Sequence, residues 1–117
     1  MICYEVHSLP EKLAKAKVDI LLYSVAWYGG NTKNWFKNIF PMRHVKPNGY
    51  AVIAANWSSP LKGATWDGAG YSAIYDHTGK VLAQVNSDRK PKVLFAEIPL
   101  KPKGKQQDHT VTPPSPR

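Results

Sequence analysis

The sequence predicts a mixed α/β fold in which one sheet carries helices on one of its faces. Two near-continuous apolar runs of strand length, 18–24 (VDILLYS) and 50–56 (YAVIAAN), are typical of strands that are buried on both faces. A helical pattern precedes each run, and further short strands joined by a tight turn follow the second. This order of elements predicts a sheet that contains both parallel and antiparallel strands.

Two helices are predicted, one before each apolar run. Segment 8–17 (SLPEKLAKAK) has Ser8 and Glu11 at the spacing of a capping box, with a proline in the first turn, where its missing N–H is no loss. Segment 34–46 (NWFKNIFPMRHVK) places apolar residues at helical spacing. Pro41 lies inside that segment, and it predicts a kink or a break because proline has no N–H to donate.

The second half of the chain predicts a hairpin and one more strand. Segments 71–75 and 81–85 are short and apolar, and Asp-His-Thr-Gly joins them, with Gly79 where a tight turn needs positive φ. Segment 93–98 (VLFAEI) predicts a last strand. The start of the chain is different, since Cys3 comes almost directly before the first helix. A parallel layer would have a full strand there, so we expect its first central strand to be cut short.

Length and composition fit one domain with a polar tail. The chain has 117 residues, of which 43% are hydrophobic and 21% are charged. We assign 1–100 to a partial domain and expect 101–117, which is rich in proline and lysine, to be a disordered tail. A net charge of +8 could indicate binding to nucleic acid. The sequence has no run of lysine and arginine interleaved with aromatic residues, however, so no nucleic-acid partner is predicted.

No membrane partner is predicted either, because no apolar run reaches the ~18 residues of a membrane span. The N-terminus has no basic leader before an apolar stretch. The single cysteine excludes an internal disulfide, and together these features predict a cytoplasmic protein. One cysteine and four scattered histidines give no metal-ligand spacing, so neither a metal nor another cofactor is expected.

Five segments, in order, resemble those of carbon–nitrogen hydrolases of the nitrilase superfamily. ICYEVHSLPE is similar to the nucleophile motif, in which a cysteine at a strand end precedes an aromatic residue, an acid and a short helix. The others are DILLYSVAW, NGYAVIAAN, WDGAGYSAIYDHTGKVLAQV and VLFAEIPL, which resemble the family's later strands, its glycine/serine loop and its hairpin. The resemblance implies the C-terminal half of a four-layer α-β-β-α sandwich.

The resemblance also implies residue roles. Cys3 corresponds to the nucleophile, and the N–H of Tyr4 to a donor that stabilises the oxyanion. Trp27 corresponds to a residue that lines the substrate pocket. Glu5 corresponds to a structural acid that pairs with a basic group near the site, for which Arg43 is the candidate. The implied reaction is cleavage of a small amide or nitrile through a cysteine thioester.

Family members carry two further catalytic groups, a glutamate base and a lysine, upstream of the cysteine. Only Met1 and Ile2 precede Cys3 in this sequence, so we expect a fragment that is nearly inert alone. The resemblance further implies that the full-length protein is a homo-oligomer. The sequence departs from the family pattern at Lys17-Val18, where Gly-Ala is usual, and at Pro41. Half a sandwich also predicts an exposed apolar face.

Other interpretations of the same residues stay open. Cys3 could be a small buried hydrophobe, Trp27 an ordinary core aromatic, and Arg43 a solvated surface residue. His7 lies four residues after the cysteine, so a catalytic Cys–His pair is a further possibility, although no Asn or Asp is at a recognisable third position. At the level of function, the alternatives are an inactive truncated or degenerate product that acts at most as a binding partner, and the N-acyltransferase branch of the superfamily, which ICYE and AWYGG resemble.

Overall fold

A mixed sheet of four strands in the order β1-β2-β3-β4 organises the residues that the computed structural model describes, which are 1–58, 68, 70–86 and 90–101. The strands are β1 (Ile20–Val25), β2 (Ala51–Asn56), β3 (Ala73–Tyr75) and β4 (Val81–Gln84). The first pair is parallel, and the other two pairs are antiparallel. The predicted mixed α/β fold is therefore confirmed, with small shifts at the strand ends.

The first two residues extend the sheet beside β1. The ammonium of Met1 donates to the carbonyl of Leu22 at 3.0 Å, and the N–H of Ser24 donates to the carbonyl of Met1 at 3.1 Å. Ile2 forms an isolated parallel bridge with Ser24. This alternation of hydrogen bonds is that of a parallel ladder, so Met1 and Ile2 pair with β1 as residues of a neighbouring parallel strand do.

Strand β1 buries one face only, which corrects the prediction of burial on both. Leu21, Tyr23 and Val25 are buried, whereas Leu22 is 64% exposed. Ile2 is on the exposed side of the sheet as well, at 65% exposure. The exposed apolar face that the sequence predicted is therefore present. The buried face packs against aromatic and aliphatic side chains of the helices, namely Val6, Trp35, Phe36, Phe40 and Val45.

The predicted capping box at Ser8 is wrong. The amides of Ser8 and Leu9 both donate to the carbonyl of Glu5, at 3.0 and 2.8 Å, because a 3₁₀ turn (Cys3–His7) precedes the helix. Helix α1 (Pro10–Lys15) consequently begins at Pro10. The carboxylate with a capping role is that of Glu5, which accepts the N–H of Ile2 at 2.6 Å.

Helix α1 ends in a Schellman motif. The N–H of Lys17 donates to the carbonyl of Ala14 at 3.0 Å, and the N–H of Val18 donates to that of Leu13 at 3.4 Å. Lys17 has φ +58°, in the left-handed region where glycine is usual. The departure from Gly-Ala at 17–18 therefore places a side chain in a strained backbone conformation.

The second helix, α2 (32–45), continues through Pro41, where the sequence predicted a kink or a break. Its first turn (Thr32–Asn34) is α-helical, and two π-helical segments follow, Trp35–Ile39 and Pro41–Val45. In this wide geometry the N–H of residue i bonds the carbonyl of residue i−5, as Lys46 bonds Pro41 at 2.9 Å. Pro41 has no N–H for the carbonyl of Phe36. The buried hydroxyl of Tyr75 donates to that carbonyl instead, at 2.5 Å.

The predicted strand at 93–98 is also wrong. The residues from 91 to 101 form no strand, and Phe95 is 86% exposed. A strand exists only when a neighbouring strand supplies hydrogen-bond partners, and none of the strands in the part of the chain that the structure describes pairs with 93–98. The predicted tail lies outside the described residues, apart from Lys101.

Removing the hydroxyl of Tyr75 should destabilise the chain. We expect Tyr75→Phe to lower the free energy of unfolding by about 1–3 kcal/mol, because the carbonyl of Phe36 would be left buried without a donor. The control is Tyr4→Phe, which removes an exposed hydroxyl and should change stability by less than about 0.5 kcal/mol. Urea unfolding followed by circular dichroism measures both, and equal effects would contradict the role of Tyr75 in accommodating Pro41.

Relieving the strained backbone at Lys17 should stabilise the chain. We expect Lys17→Gly to raise the free energy of unfolding by roughly 0.5–1 kcal/mol, since glycine adopts positive φ without steric cost. Lys15→Gly, placed in the last turn of α1, is the matched control and should cost about 1 kcal/mol. Changes of the same sign in the two variants, in the same unfolding assay, would show that φ at residue 17 does not limit stability.

Candidate active site

A cleft of about 580 Å³ opens where the parallel strands end. Met1–Ile2, β1 and β2 run in the same direction, so the residues that follow them lie at the same edge of the sheet. The described residues that line the cleft come from the 3₁₀ turn and from the segment after β1: Cys3, Tyr4, Val6, His7, Ala26, Trp27, Tyr28 and Asn31. Three predicted site residues, Cys3, Tyr4 and Trp27, are thus brought together.

The backbone of Cys3 is held in a strained conformation. Its φ is +43°, which is uncommon for a residue with a side chain and is typical of positions fixed by their surroundings. The hydroxyl of Tyr23, a buried residue of β1, donates to the carbonyl of Cys3 at 2.9 Å. Burial raises the pKa of Tyr23 far above its ordinary value, and the neighbouring charge of Cys3 raises it further, so the donor stays protonated.

The amide of Tyr4 stands at the open end of the 3₁₀ turn. The first hydrogen bond of that turn runs from the N–H of Glu5 to the carbonyl of Ile2, at 3.0 Å, so the turn itself does not use the amide of Tyr4. The side chain of Tyr4 is 81% exposed and contacts the ring of His7, with ring centroids 5.0 Å apart. The amide of Tyr4 is therefore adjacent to Cys3 and is not used by the turn's own first hydrogen bond.

Glu5 and Arg43 are not brought together as predicted. The carboxylate of Glu5 bonds the N–H of Ile2 within its own turn, and Arg43 is an exposed residue of α2. Among the residues that the structure describes, no ion pair joins them. Glu5 keeps a structural role, because its carboxylate anchors the residue that precedes Cys3.

Trp27 forms a rigid wall of the cleft. Its indole stacks on that of the buried Trp35, with centroids 4.2 Å apart and planes 6° apart. Its ring N–H donates to the carbonyl oxygen of the Asn31 side chain at 3.2 Å. The two interpretations of Trp27 are therefore not exclusive, since the same ring lines the cleft and packs against the core.

Asn56, at the end of β2, is a supporting residue that the sequence analysis did not single out. Its Oδ1 accepts the backbone N–H of Trp27 at 2.8 Å, while its Nδ2 donates to the carbonyls of Trp27 and Gly70 at 3.1 and 2.7 Å. Its backbone N–H donates to the hydroxyl of Ser72 at 2.9 Å. An amide side chain directly after an apolar strand was the available signal.

His7 and His44 are close enough to influence each other. Burial lowers the pKa of His44, and the charges of His7 and then Arg43 lower it further. The ring of His44 also contacts those of Trp35 and Phe40. His44 is therefore held in its neutral form near neutral pH. His7 is the one of the two that lines the cleft beside Cys3.

The described residues contain no group of three metal-ligating side chains. A search of the same residues for a helix long and apolar enough to cross a membrane finds none.

Solved structures of nitrilase-superfamily proteins share this fold. An amidase of that superfamily from Nesterenkonia AN1 superposes with a TM-score of 0.63 at 22% identity, covering 77% of this chain and 34% of that one. Saccharomyces cerevisiae Nit3, a member of branch 10 of the superfamily, gives 0.63 at 17% identity, with coverages of 76% and 33%.

A further structure of the Nesterenkonia amidase, a mutant, shows covalent addition of the acetamide moiety of fluoroacetamide at its active-site cysteine. It superposes with a TM-score of 0.59 at 21% identity, covering 77% of this chain and 34% of that one. This chain therefore spans only about a third of the length of these enzymes. No curated protein gives a significant match.

The family model for carbon–nitrogen hydrolases matches residues 1–104, and the chain belongs to that family.

Replacing the Asn56 amide should weaken the edge of the sheet that carries the cleft. We expect Asn56→Asp to lower the free energy of unfolding at neutral pH by about 2 kcal/mol or more, because a carboxylate cannot donate to the carbonyls of Trp27 and Gly70. Asn38→Asp is the control, since the Asn38 side chain is exposed and its amide nitrogen donates to the side chain of Asn34 in the same helix. If urea unfolding shows that both variants lose a similar amount of unfolding free energy, Asn56 is not the residue that links the ends of the strands.

Proposed function

We propose that this chain is the cysteine-bearing part of a hydrolase that cleaves a non-peptide carbon–nitrogen bond in a small amide or nitrile. The observation that carries the proposal is the position of Cys3, a partly buried residue in strained backbone at the start of a 3₁₀ turn, which lines a cleft at the carboxyl ends of parallel strands. Strained backbone of this kind clusters at functional sites.

For an amide, the Cys3 thiolate attacks the carbonyl carbon and a tetrahedral oxyanion forms beside the amide N–H of Tyr4. Collapse of this intermediate breaks the carbon–nitrogen bond, and the amine leaves with a proton, which gives a thioester at Sγ. Water then attacks the thioester carbon, the carbon–sulfur bond breaks, and the thiol is restored with release of a carboxylic acid. A nitrile instead adds the thiol across its carbon–nitrogen triple bond to give a thioimidate. One water then adds to its carbon and ammonia leaves, which gives the thioester, and a second water releases the carboxylic acid.

The family resemblance assigns the base to a glutamate and a second oxyanion donor to a lysine, both upstream of the nucleophile. We propose that polypeptide outside the present sequence supplies them and that the chain alone is nearly inert. The loss of a single oxyanion donor typically costs about 3 kcal/mol of transition-state stabilisation, and here the base would be missing as well. The covalent adduct on the cysteine of the Nesterenkonia amidase supports the assignment of the nucleophile.

A second candidate function is binding without catalysis. The exposed apolar face of β1, which includes Leu22, favours it, because a surface of this kind is normally covered by another protein surface. In this case the cysteine would be a relic of the family and not a working group.

The thiol of Cys3 should be open to alkylation in the folded chain. We expect iodoacetamide to modify Cys3 at a rate similar to that of N-acetylcysteine at the same pH, because the side chain lines an open cleft. Mass spectrometry over a time course measures this rate, and Cys3→Ser is the blank. A rate more than about tenfold below that of the free thiol would identify a protected structural cysteine.

Reading the coding DNA upstream of the Met1 codon separates the two candidate functions. An in-frame continuation with a glutamate and a lysine at family positions would support the hydrolase. In that longer protein, ammonia release from neutral amides should disappear with Cys3→Ala and persist with Asn38→Ala. A stop codon would favour the chain as a product without catalysis.

A further inference from the structure

The cleft beside Cys3 is built for uncharged, apolar groups. Among the described residues that line it, none is Asp, Glu, Lys or Arg. Four carry aromatic rings, namely Tyr4, His7, Trp27 and Tyr28, while Asn31, His7 and the tyrosine hydroxyls supply polar atoms. Ligand pockets in proteins gain affinity mainly from such apolar walls, while a small number of polar groups sets the orientation of the ligand.

Trp27 offers the cleft carbon surface only, because its polar atoms already have partners. Its ring N–H donates to Asn31, its backbone N–H donates to Asn56, and its carbonyl accepts from Asn56 and from the indole of Trp57. The stack on Trp35 fixes the ring plane. A group that binds against Trp27 is therefore recognised by apolar contact and not by hydrogen bonding.

Charge decides between the classes of acyl group that could bind there. A carboxylate would lose its hydration in a cleft where the imidazole of His7, and no lysine or arginine, is among the described lining residues. An ammonium group would meet no carboxylate in the same lining, and it would approach a chain with a net charge of +8. A neutral apolar group meets neither obstacle and gains from burial against the aromatic rings.

We propose that the acyl group transferred to Cys3 is neutral and apolar, and that the wall formed by Trp27 and Tyr28 selects it over acyl groups that carry a charge. This inference rests on the proposed thioester chemistry and adds the class of substrate to it.

Activated esters test the selection without the upstream catalytic groups. Three p-nitrophenyl esters share a leaving group: the phenylacetate, its (4-carboxyphenyl)acetate analogue, and the acetate. In each, the Cys3 thiolate forms a bond to the carbonyl carbon, the carbon–oxygen bond breaks, and p-nitrophenolate leaves with the electron pair. Release of p-nitrophenolate gives the rate, mass spectrometry locates the acyl group, Cys3→Ser is the blank, and N-acetylcysteine normalises the intrinsic reactivity of each ester.

We expect the normalised rate for phenylacetate to exceed those for the other two esters by about tenfold or more. Trp27→Ala should bring the three rates to within about threefold, whereas Phe95→Ala, an exposed aromatic residue outside the cleft lining, should leave the preference intact. Tyr28→Arg should raise the rate of the carboxylated ester selectively, because it adds a cation to the wall, and it serves if Trp27→Ala fails to fold.

Normalised rates within twofold of one another, or a preference for the carboxylated ester in the unmodified chain, would overturn the selection while leaving Cys3 as the nucleophile. Absence of acylation at Cys3 by all three esters, with normal reaction of N-acetylcysteine, would overturn the proposed function and the selection with it.

Discussion

The carboxamide of Asn56 is the interaction on which the geometry of the cleft depends. Backbone hydrogen bonding between β1 and β2 stops at their last residues, and the polar groups beyond that point need other partners. Asn56 supplies them by accepting from the N–H of Trp27 and donating to the carbonyls of Trp27 and Gly70. One side chain thus holds the segment that leaves β1 and the segment that enters β3 in fixed positions beside β2.

The same edge of the sheet holds Cys3 from the other direction. The hydroxyl of Tyr23 reaches the carbonyl of Cys3 from inside β1, and the carboxylate of Glu5 binds the N–H of Ile2 just before it. These contacts compensate the positive φ of the cysteine, which would otherwise relax. The nucleophile candidate and the Trp27 wall are therefore tied to the same rigid sheet by different side chains, so that their separation is set by the fold and not by a loop.

Much of this fold could be predicted from the sequence, because apolar runs and turn residues report directly on strands and hairpins. The exceptions have physical causes. Pro41 lacks the N–H that would bond the carbonyl of Phe36 in a π-helical turn. It does not break α2, because the hydroxyl of the distant Tyr75 donates to that carbonyl instead. Ser8 does not cap α1, since the preceding turn already uses its amide. Both outcomes depend on contacts that local sequence patterns do not encode.

The candidate site, like the fold, could be predicted from the sequence only in part. Cys3, Tyr4 and Trp27, which the family motif singles out, line one cleft because they follow parallel backbone segments that end at the same edge of the sheet. The motif did not give the partner of Glu5, because a carboxylate can satisfy itself within its own turn as readily as with a distant arginine. The strand expected at 93–98 failed for a related reason, since pairing requires a neighbour and not only a suitable composition.

The hydrogen bond from the Met1 ammonium to the carbonyl of Leu22 has a practical consequence for handling the protein. The nitrogen of Met1 occupies the place of a ladder amide in a parallel strand, and an amide N–H at that atom would donate to the same carbonyl. Acylation of the N-terminus or fusion of a purification tag to it would therefore remove a positive charge at the sheet edge and preserve the bond. Labels attached at this end are geometrically compatible with the sheet, and a short extended linker would continue along β1.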